Sequence, residues 1–215
     1  MANEKLGPGA GASARTRIRR HSERSAPELA EEFLRAGRVA HVAFVAAGQP
    51  YVLPFTYHYD AGKLYIHGAP ASHTLRTLRT LRPGTPVCAE VTLRPGTPVC
   101  AEVTLLDGLV ASRDAKSHSV NYRSVVIFGE AVEVTDLNEK RLAFEAMTRR
   151  YFPGRAAGRE YALARDGDLR AVTLLAIAIE ELSAKTRAGP ALGPRDGDQA
   201  AAGTSFVLLL PDHDA

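Results

Sequence analysis

The sequence predicts a mainly β fold, a small antiparallel barrel, closed or partly split, of about six or seven strands with short helices at its ends. Three observations carry this. Apolar or alternating runs of strand length recur, and most are joined by short turns. The helical stretches interrupt the strands near the ends of the pattern and do not alternate with them, so no βαβ repeat arises. No glycine-rich loop opens a helix, which argues against a Rossmann sheet or a P-loop.

The elements follow in order. Residues 1–14 are rich in Gly and Ala and read as a disordered tail. Ser25-Ala26-Pro27-Glu28 reads as a helix start, with Ser25 as N-cap and Pro27 in the first turn; the helix runs to Ala36 and stops at Gly37. Residues 39–46 form an apolar strand, Ala47-Gly48-Gln49-Pro50 a turn, 51–59 a second strand and, after Asp60-Ala61-Gly62-Lys63, 64–68 a third. A short helix near 72–81 follows, with leucines at 75, 78 and 81 on one side. Residues 105–112 extend a strand, and 122–135 read as a long one. Asp136 caps a helix over 136–152 that ends at Pro153-Gly154. Residues 172–180 are a last long strand, and 206–210 a short terminal one. The domain reading is a tail over 1–14, one split-barrel domain over 15–190 and a C-terminal tail with a short strand over 191–215.

Residues 81–92 read LRPGTPVCAEVT, and 93–104 repeat them without change. One tandem copy is not a solenoid, which needs several stacked units. Both copies compete for one strand slot. The period of twelve is even, so either copy presents the same faces to the core. Connectivity favours the second copy, which runs directly into Leu105, and leaves about residues 79–93 as a protruding, mobile loop or irregular hairpin.

Composition sets the outer limits. A chain of 215 residues suits one domain of good size, and 45% apolar with 24% charged residues is ordinary for a globular protein. No apolar run is long enough to cross a bilayer, and the N-terminal residues lack a signal-type apolar core, so the expected location is the cytoplasm. Net charge is +3. Arg15, Arg17, Arg19, Arg20 and Arg24 form a basic arm that can bind nucleic acid or an anionic membrane. A solvated arm, or one folded over a neighbouring subunit, is favoured because nothing else reads as a nucleic-acid fold. Cys88 and Cys100 are one residue copied, and two cysteines are too few for a disulfide scaffold or a cysteine zinc site. No metal, nucleic-acid or membrane partner is expected.

Few residues suggest chemistry. No serine sits in a G-x-S-x-G elbow, and no carboxylates pair as in glycosidases. No histidines show the spacing of helical zinc ligands. His67 ends the strand 64–68, where it either faces a cleft or merely satisfies the strand end. Ser72 and Thr74 open the short helix, where free N–H groups and the helix dipole attract a phosphate. Arg76 and Arg79 add charge there, and Arg123 and Ser124 could reach the same anion; solvated faces are the alternative.

Several segments occur together and in order: Gly48-Gln49-Pro50-Tyr51-Val52-Leu53-Pro54, Leu64-Tyr65-Ile66-His67-Gly68, Ala71-Ser72, Val103 to Val110, Asn121-Tyr122-Arg123-Ser124-Val125 and Glu181 to Gly189. In this the chain resembles, over about residues 17–190, the nitroimidazole-resistance-like branch of the pyridoxamine 5'-phosphate oxidase-like superfamily. The resemblance implies an FMN-binding split barrel and a homodimer with FMN at its interface. It makes His67 the active-site histidine and places Ser72 near the FMN phosphate. Tyr122, Arg123 and Ser124 would line the cofactor site, with Pro54, Phe55 and Thr56 beside the flavin ring. His73 stands where the family usually has arginine, and Arg76 would compensate. The threonine after Pro54 comes one place late, as Thr56. The tryptophan of the family's C-terminal motif is missing, since the chain has none and reads Thr204-Ser205-Phe206-Val207. The implied activity is an FMN-dependent oxidoreductase passing electrons from a reduced nicotinamide to a small-molecule substrate, for example a nitroaromatic. The rival reading is a non-enzymatic module on the same barrel that carries haem or flavin.

Overall fold

The computed structural model describes residues 13–46, 48–68 and 97–211. Most of the N-terminal tail, the short helix expected to carry Ser72, His73 and Arg76, and the first copy of the duplication lie outside the described residues. The strands are β1 (Val39–Ala46), β2 (Gln49–Asp60), β3 (Lys63–Gly68), β4 (Thr97–Ala111), β5 (Ser119–Glu133), β6 (Thr173–Arg187) and β7 (Phe206–Leu209). The α-helices are α1 (Ala30–Ala36), α2 (Leu137–Tyr151) and α3 (Asp166–Arg170). Hydrogen bonding orders the strands β1-β2-β3-β6-β5-β4-β7, and a further β1–β4 pairing returns the order on itself. The chain is mainly antiparallel β, consistent with the split barrel expected. Among the described residues no helix is long and apolar enough to cross a membrane.

The chain divides into two compact units, and β4, β5 and β6 each run through both. In the first (39–101 and 127–181), β1 and β2 form a hairpin in register from Ala46↔Gln49 to Val39↔Thr56. Gly48 takes a left-handed φ of 78° in the turn, a conformation cheap only without a Cβ. β2 then changes partner, pairing with β3 from Tyr57↔Ile66 to Asp60↔Lys63. β3 pairs with β6 from Lys63↔Ala178 to Gly68↔Thr173. Strand alternation gives this sheet two faces. The inner face carries Ala40, Val42, Phe44, Tyr57, Tyr59, Leu64, Ile66, Leu175 and Ile177, all buried. On the outer face Tyr65, Leu174 and Ala176 are covered by Ala143, Phe144 and Met147 of α2, together with Val134.

At the partner change the backbone of Tyr57 is met by a side chain. Its N–H donates to the Tyr151 hydroxyl at 2.9 Å, and that hydroxyl donates to the Tyr57 carbonyl at 3.0 Å. Helix α2 begins as expected, with the Asp136 carboxylate accepting from the Glu139 N–H at 2.7 Å. Its buried Lys140 donates from Nζ to the carbonyls of Leu169 and Val172, at 3.1 and 2.8 Å. Gly129 on β5 lies against β6 so closely that a Cβ would sit 1.8 Å from the Ala178 carbonyl oxygen. No other residue fits there without moving backbone.

In the second unit (14–38, 102–126 and 182–215), Ser25 does not cap a helix. It bridges to Lys185, and the Ala26 N–H donates to the Ala184 carbonyl. Pro27–Leu29 is a 3-10 turn, and only from Ala30 is the chain α-helical. The cap expected at Ser25 is lost because pairing with β6 claims its backbone. The stop at Gly37 holds, with φ −63° and ψ 148°, an extended rather than a left-handed exit. Asp196 pins the C-terminal segment by accepting from Ser112 Oγ (2.8 Å), the Arg113 N–H (2.8 Å) and the Gly193 N–H (2.6 Å). β7 pairs with β4 from Gly108↔Leu209 to Ala111↔Phe206. The second copy of the duplication opens β4, as connectivity required.

Candidate functional site

The outer face of the first unit gathers several of the expected site residues. His67 lies on β3 opposite Leu174, two residues from Tyr65 and so on the same face. Pro54 pairs with His41, and Thr56 with Val39. Thr56 directly precedes Tyr57, whose partner on β3 is Ile66, the residue before His67. Pro54, Thr56 and His41 are exposed, as are Val45 (61%) and Val52 (62%) on the same face. Phe55 is not part of this group. It pairs with buried Ala40 and belongs to the inner face.

His67 has an unusual setting. Its ring meets the Phe144 ring edge-on, with centroids 5.2 Å apart and planes at 82°. Its Nδ1 is buried with no hydrogen-bond partner. Burial alone holds the imidazole below its ordinary pKa, because the charged form loses more hydration than the neutral one. Beside it the Tyr65 hydroxyl donates to Glu139 at 3.0 Å, and its pKa is pushed up to about 12, first by burial and then by that bond. His58 stacks on Tyr65, with centroids 6.2 Å apart. A half-buried imidazole beside an apolar wall, next to exposed Thr56 and Pro54, can offer one polar contact to a flat, largely apolar ligand.

The other expected residues of the second unit make local contacts. The Arg123 guanidinium pairs with Asp107, Nη2 to Oδ1 at 2.6 Å and Nε to both oxygens at 3.1 Å. That pairing takes up much of the charge offered to a phosphate. The Tyr122 carbonyl accepts from Thr186 Oγ1 at 3.2 Å, and Ser124 Oγ lies 3.5 Å from the Lys185 carbonyl. Ser72, His73 and Arg76 fall outside the described residues. Among the described residues no group of three or more His, Cys, Asp or Glu side chains is placed to hold a metal ion.

Phe144 was not singled out from the sequence. Its signal lies in the spacing of Lys140, Ala143, Phe144 and Met147, a one-face helical stripe. That stripe marks the face α2 buries, but not which strand residue it meets.

The chain is similar in structure to the flavocytochrome Anf3 from Azotobacter vinelandii, with a TM-score of 0.74 and 25% identity over 93% of this chain and 86% of that one. It is similar to an FAD and haem binding protein from Mycobacterium smegmatis, with a TM-score of 0.70 and 30% identity over 86% and 82% of the two chains. A candidate 5-nitroimidazole antibiotic resistance protein from Bacteroides thetaiotaomicron shares the fold, with a TM-score of 0.56 and 20% identity over 74% and 83%. No curated protein matches the chain. The family model described as pyridoxamine 5'-phosphate oxidase matches residues 27–186. That span holds β1 to β5, all of β6 but its last residue, and His67 with its face, and by it the chain belongs to the pyridoxamine 5'-phosphate oxidase family.

Proposed function

We propose that this chain is a flavin-binding oxidoreductase. It would take electrons from a reduced nicotinamide and deliver them to a small oxidised substrate, with a nitroaromatic as the first class to try. The observation that carries this is His67: an imidazole with one buried, unpartnered nitrogen, on a sheet face with Thr56 and Pro54, in a chain of this family. The face suits a flavin ring, since it sets His67 among Pro54, Thr56 and the exposed valines of β1 and β2. Pro54 and Thr56 would lie beside the ring and His67 would contact its edge or the substrate. Bound flavin supplies the redox chemistry, and the protein supplies binding, orientation and electrostatics. FMN is the cofactor implied by the family resemblance, with Ser72, His73, Arg76, Tyr122 and Ser124 as candidate contacts to the remainder of the cofactor.

Assembly belongs to the same reading. Val39 (38% exposed), Val45 and Val52 leave an apolar strip on the outer face of the β1–β2 hairpin. A two-fold homodimer would cover such a strip, and the family resemblance sets the cofactor at that interface. Light scattering at micromolar concentration should report a dimer, and a stable monomer would refute the assembly.

A second reading has its own support. The two similar structures at 25% and 30% identity are named as a flavocytochrome and as an FAD and haem binding protein. On this reading the cofactor is FAD, with a haem beside it. One absorption spectrum of the protein, loaded in turn with FMN, FAD and haem, separates the readings. Flavin bands alone favour the oxidoreductase. A Soret band with flavin bands favours the second reading. No uptake of either flavin contradicts both.

A further inference from the structure

We infer that the arginine arm at residues 17–20 is a docking surface for an anionic phospholipid membrane. The inference is independent of the flavin reading, and it departs from the solvated arm that the sequence favours.

Arginine is common in this chain, and the structure neutralises most of it. Nine arginines of the described residues, from Arg24 to Arg195, lie within 4.0 Å of a carboxylate. Arg17, Arg19 and Arg20 differ. All three are exposed, and among the described residues their guanidiniums meet no carboxylate. Glu23, the acid nearest in sequence, is taken by His21 at 3.0 Å and Arg24 at 3.8 Å. Lys185 of β6 adds a fourth cation, and its Nζ donates to the Arg20 carbonyl at 3.1 Å.

The arm is seated on the protein. Thr16 is 7% exposed and Ile18 is half-buried, while Arg17 and Arg19 between and after them stand out. The bond from Lys185 fastens Arg20 to β6, and the Ala26 N–H donates to the Ala184 carbonyl a little further on. The backbone is therefore ordered before any partner arrives, which removes part of the entropy cost of docking.

Charge complementarity selects an anionic partner. Polynucleotide binders neutralise about six to ten phosphates, or stack bases on aromatic rings. The arm offers four cations and no ring, since Phe33, the one Phe, Tyr or Trp between Ser13 and Arg38, is buried. A bilayer asks for less: about four basic residues at its surface make a docking cluster, and each adds about fivefold to the partition. No large apolar side chain is exposed over that stretch, so the arm would lie on the headgroups and insert nothing.

The test is co-sedimentation of the full chain with vesicles of phosphatidylcholine alone, or of phosphatidylcholine and phosphatidylserine, at low ionic strength. The chain should bind the mixed vesicles saturably, ignore the neutral ones, and come off near 1 M salt, where charge is screened within about 3 Å. Replacing Arg17, Arg19 and Arg20 together by Gln should weaken binding about 100-fold. Replacing them by Lys should keep it within about threefold, since the charge stays. The control replaces Arg149, Arg159 and Arg165 by Gln. It changes net charge equally but removes arginines that are already paired, and should stay within about threefold. Circular dichroism melts of the arm variants should match wild type, because the altered side chains are exposed. No binding to the mixed vesicles would overturn the inference, as would equal losses in the arm and control variants. Binding to a DNA duplex but not to the vesicles would assign the arm to a polynucleotide and overturn it as well.

Discussion

Tyr151→Phe removes one oxygen atom and tests how the sheet survives the point where β2 changes partner. That oxygen accepts from the Tyr57 N–H and donates to the Tyr57 carbonyl, at 2.9 and 3.0 Å. Tyr57 itself is fully buried, so water has little access to its backbone once the hydroxyl is gone. Each lost bond costs about 0.5–1.5 kcal/mol net, and more where the backbone group is stranded without water. Two bonds therefore imply a loss of about 2–4 kcal/mol, which for a chain of this size lowers Tm by roughly 4–16 °C. The ring stays, so the Arg150 guanidinium, 5.8 Å from its centroid, keeps its aromatic partner. Tyr65→Phe is the control. It removes a hydroxyl bonded only to half-exposed Glu139, and should cost less than about 1.5 kcal/mol. Thermal and urea unfolding of both variants decide the matter. A Tyr151→Phe protein as stable as wild type, or no worse than Tyr65→Phe, would refute the claim that a side chain completes the β2 ladder.

Gly129→Ala drives a Cβ into the Ala178 carbonyl, and should cost at least the 1–3 kcal/mol typical of overpacking; a neutral effect in urea melts would mean that β5 and β6 are not so close. The depressed pKa of His67 sets a sign for pH. Its folded value lies below its unfolded one, so the unfolded chain binds more protons across that interval. Stability is full above the ordinary value of 6.5 and falls as pH drops from there through the folded value. His67→Gln should flatten that part of the curve, and an unchanged curve in pH-dependent melts would assign the acid sensitivity elsewhere. Deleting residues 81–92 should leave a chain at least as stable as the full one, since the second copy forms β4; a clear loss of folding by circular dichroism would count against it.

The legible part of the fold was the part decided by local pattern. Alternation and turns placed β1, β3, β5 and β7 to within a few residues, and Asp136 marked the start of α2. β6 runs to Arg187, well beyond the expected end at residue 180, because its far half belongs to the second unit, whose pairing leaves no local signature. Helix α3 was missed. It has five residues, and although Asp168 caps its start by accepting from the Arg165 N–H, the bond from Lys140 of α2 to the Leu169 carbonyl comes from a distant part of the chain. Ser shortly before Pro is a helix-start signal, yet Ser25 bridges to Lys185 on β6, a strand from the far end of the chain that local pattern does not show.

The site was legible in a different way. Strand-end position and the family resemblance pointed to His67, and alternation places Pro54 and Thr56 on its face. Alternation also separates Phe55 from them, which the linear motif conceals. The Arg123–Asp107 pair joins two long strands whose register cannot be read from sequence, so an arginine expected to meet phosphate is met first by a carboxylate. The edge of Phe144 on His67 depends on how α2 crosses the sheet, a matter of packing and not of pattern.

The most direct test of the central claim is a flavin titration of the folded full-length chain, read by absorbance and by quenching of flavin fluorescence, with reduced nicotinamide added at saturation. The account predicts saturable binding of flavin and bleaching of its absorbance when the nicotinamide is added, followed by recovery on addition of a nitroaromatic acceptor. A chain that is folded by circular dichroism yet binds neither FMN nor FAD would contradict it.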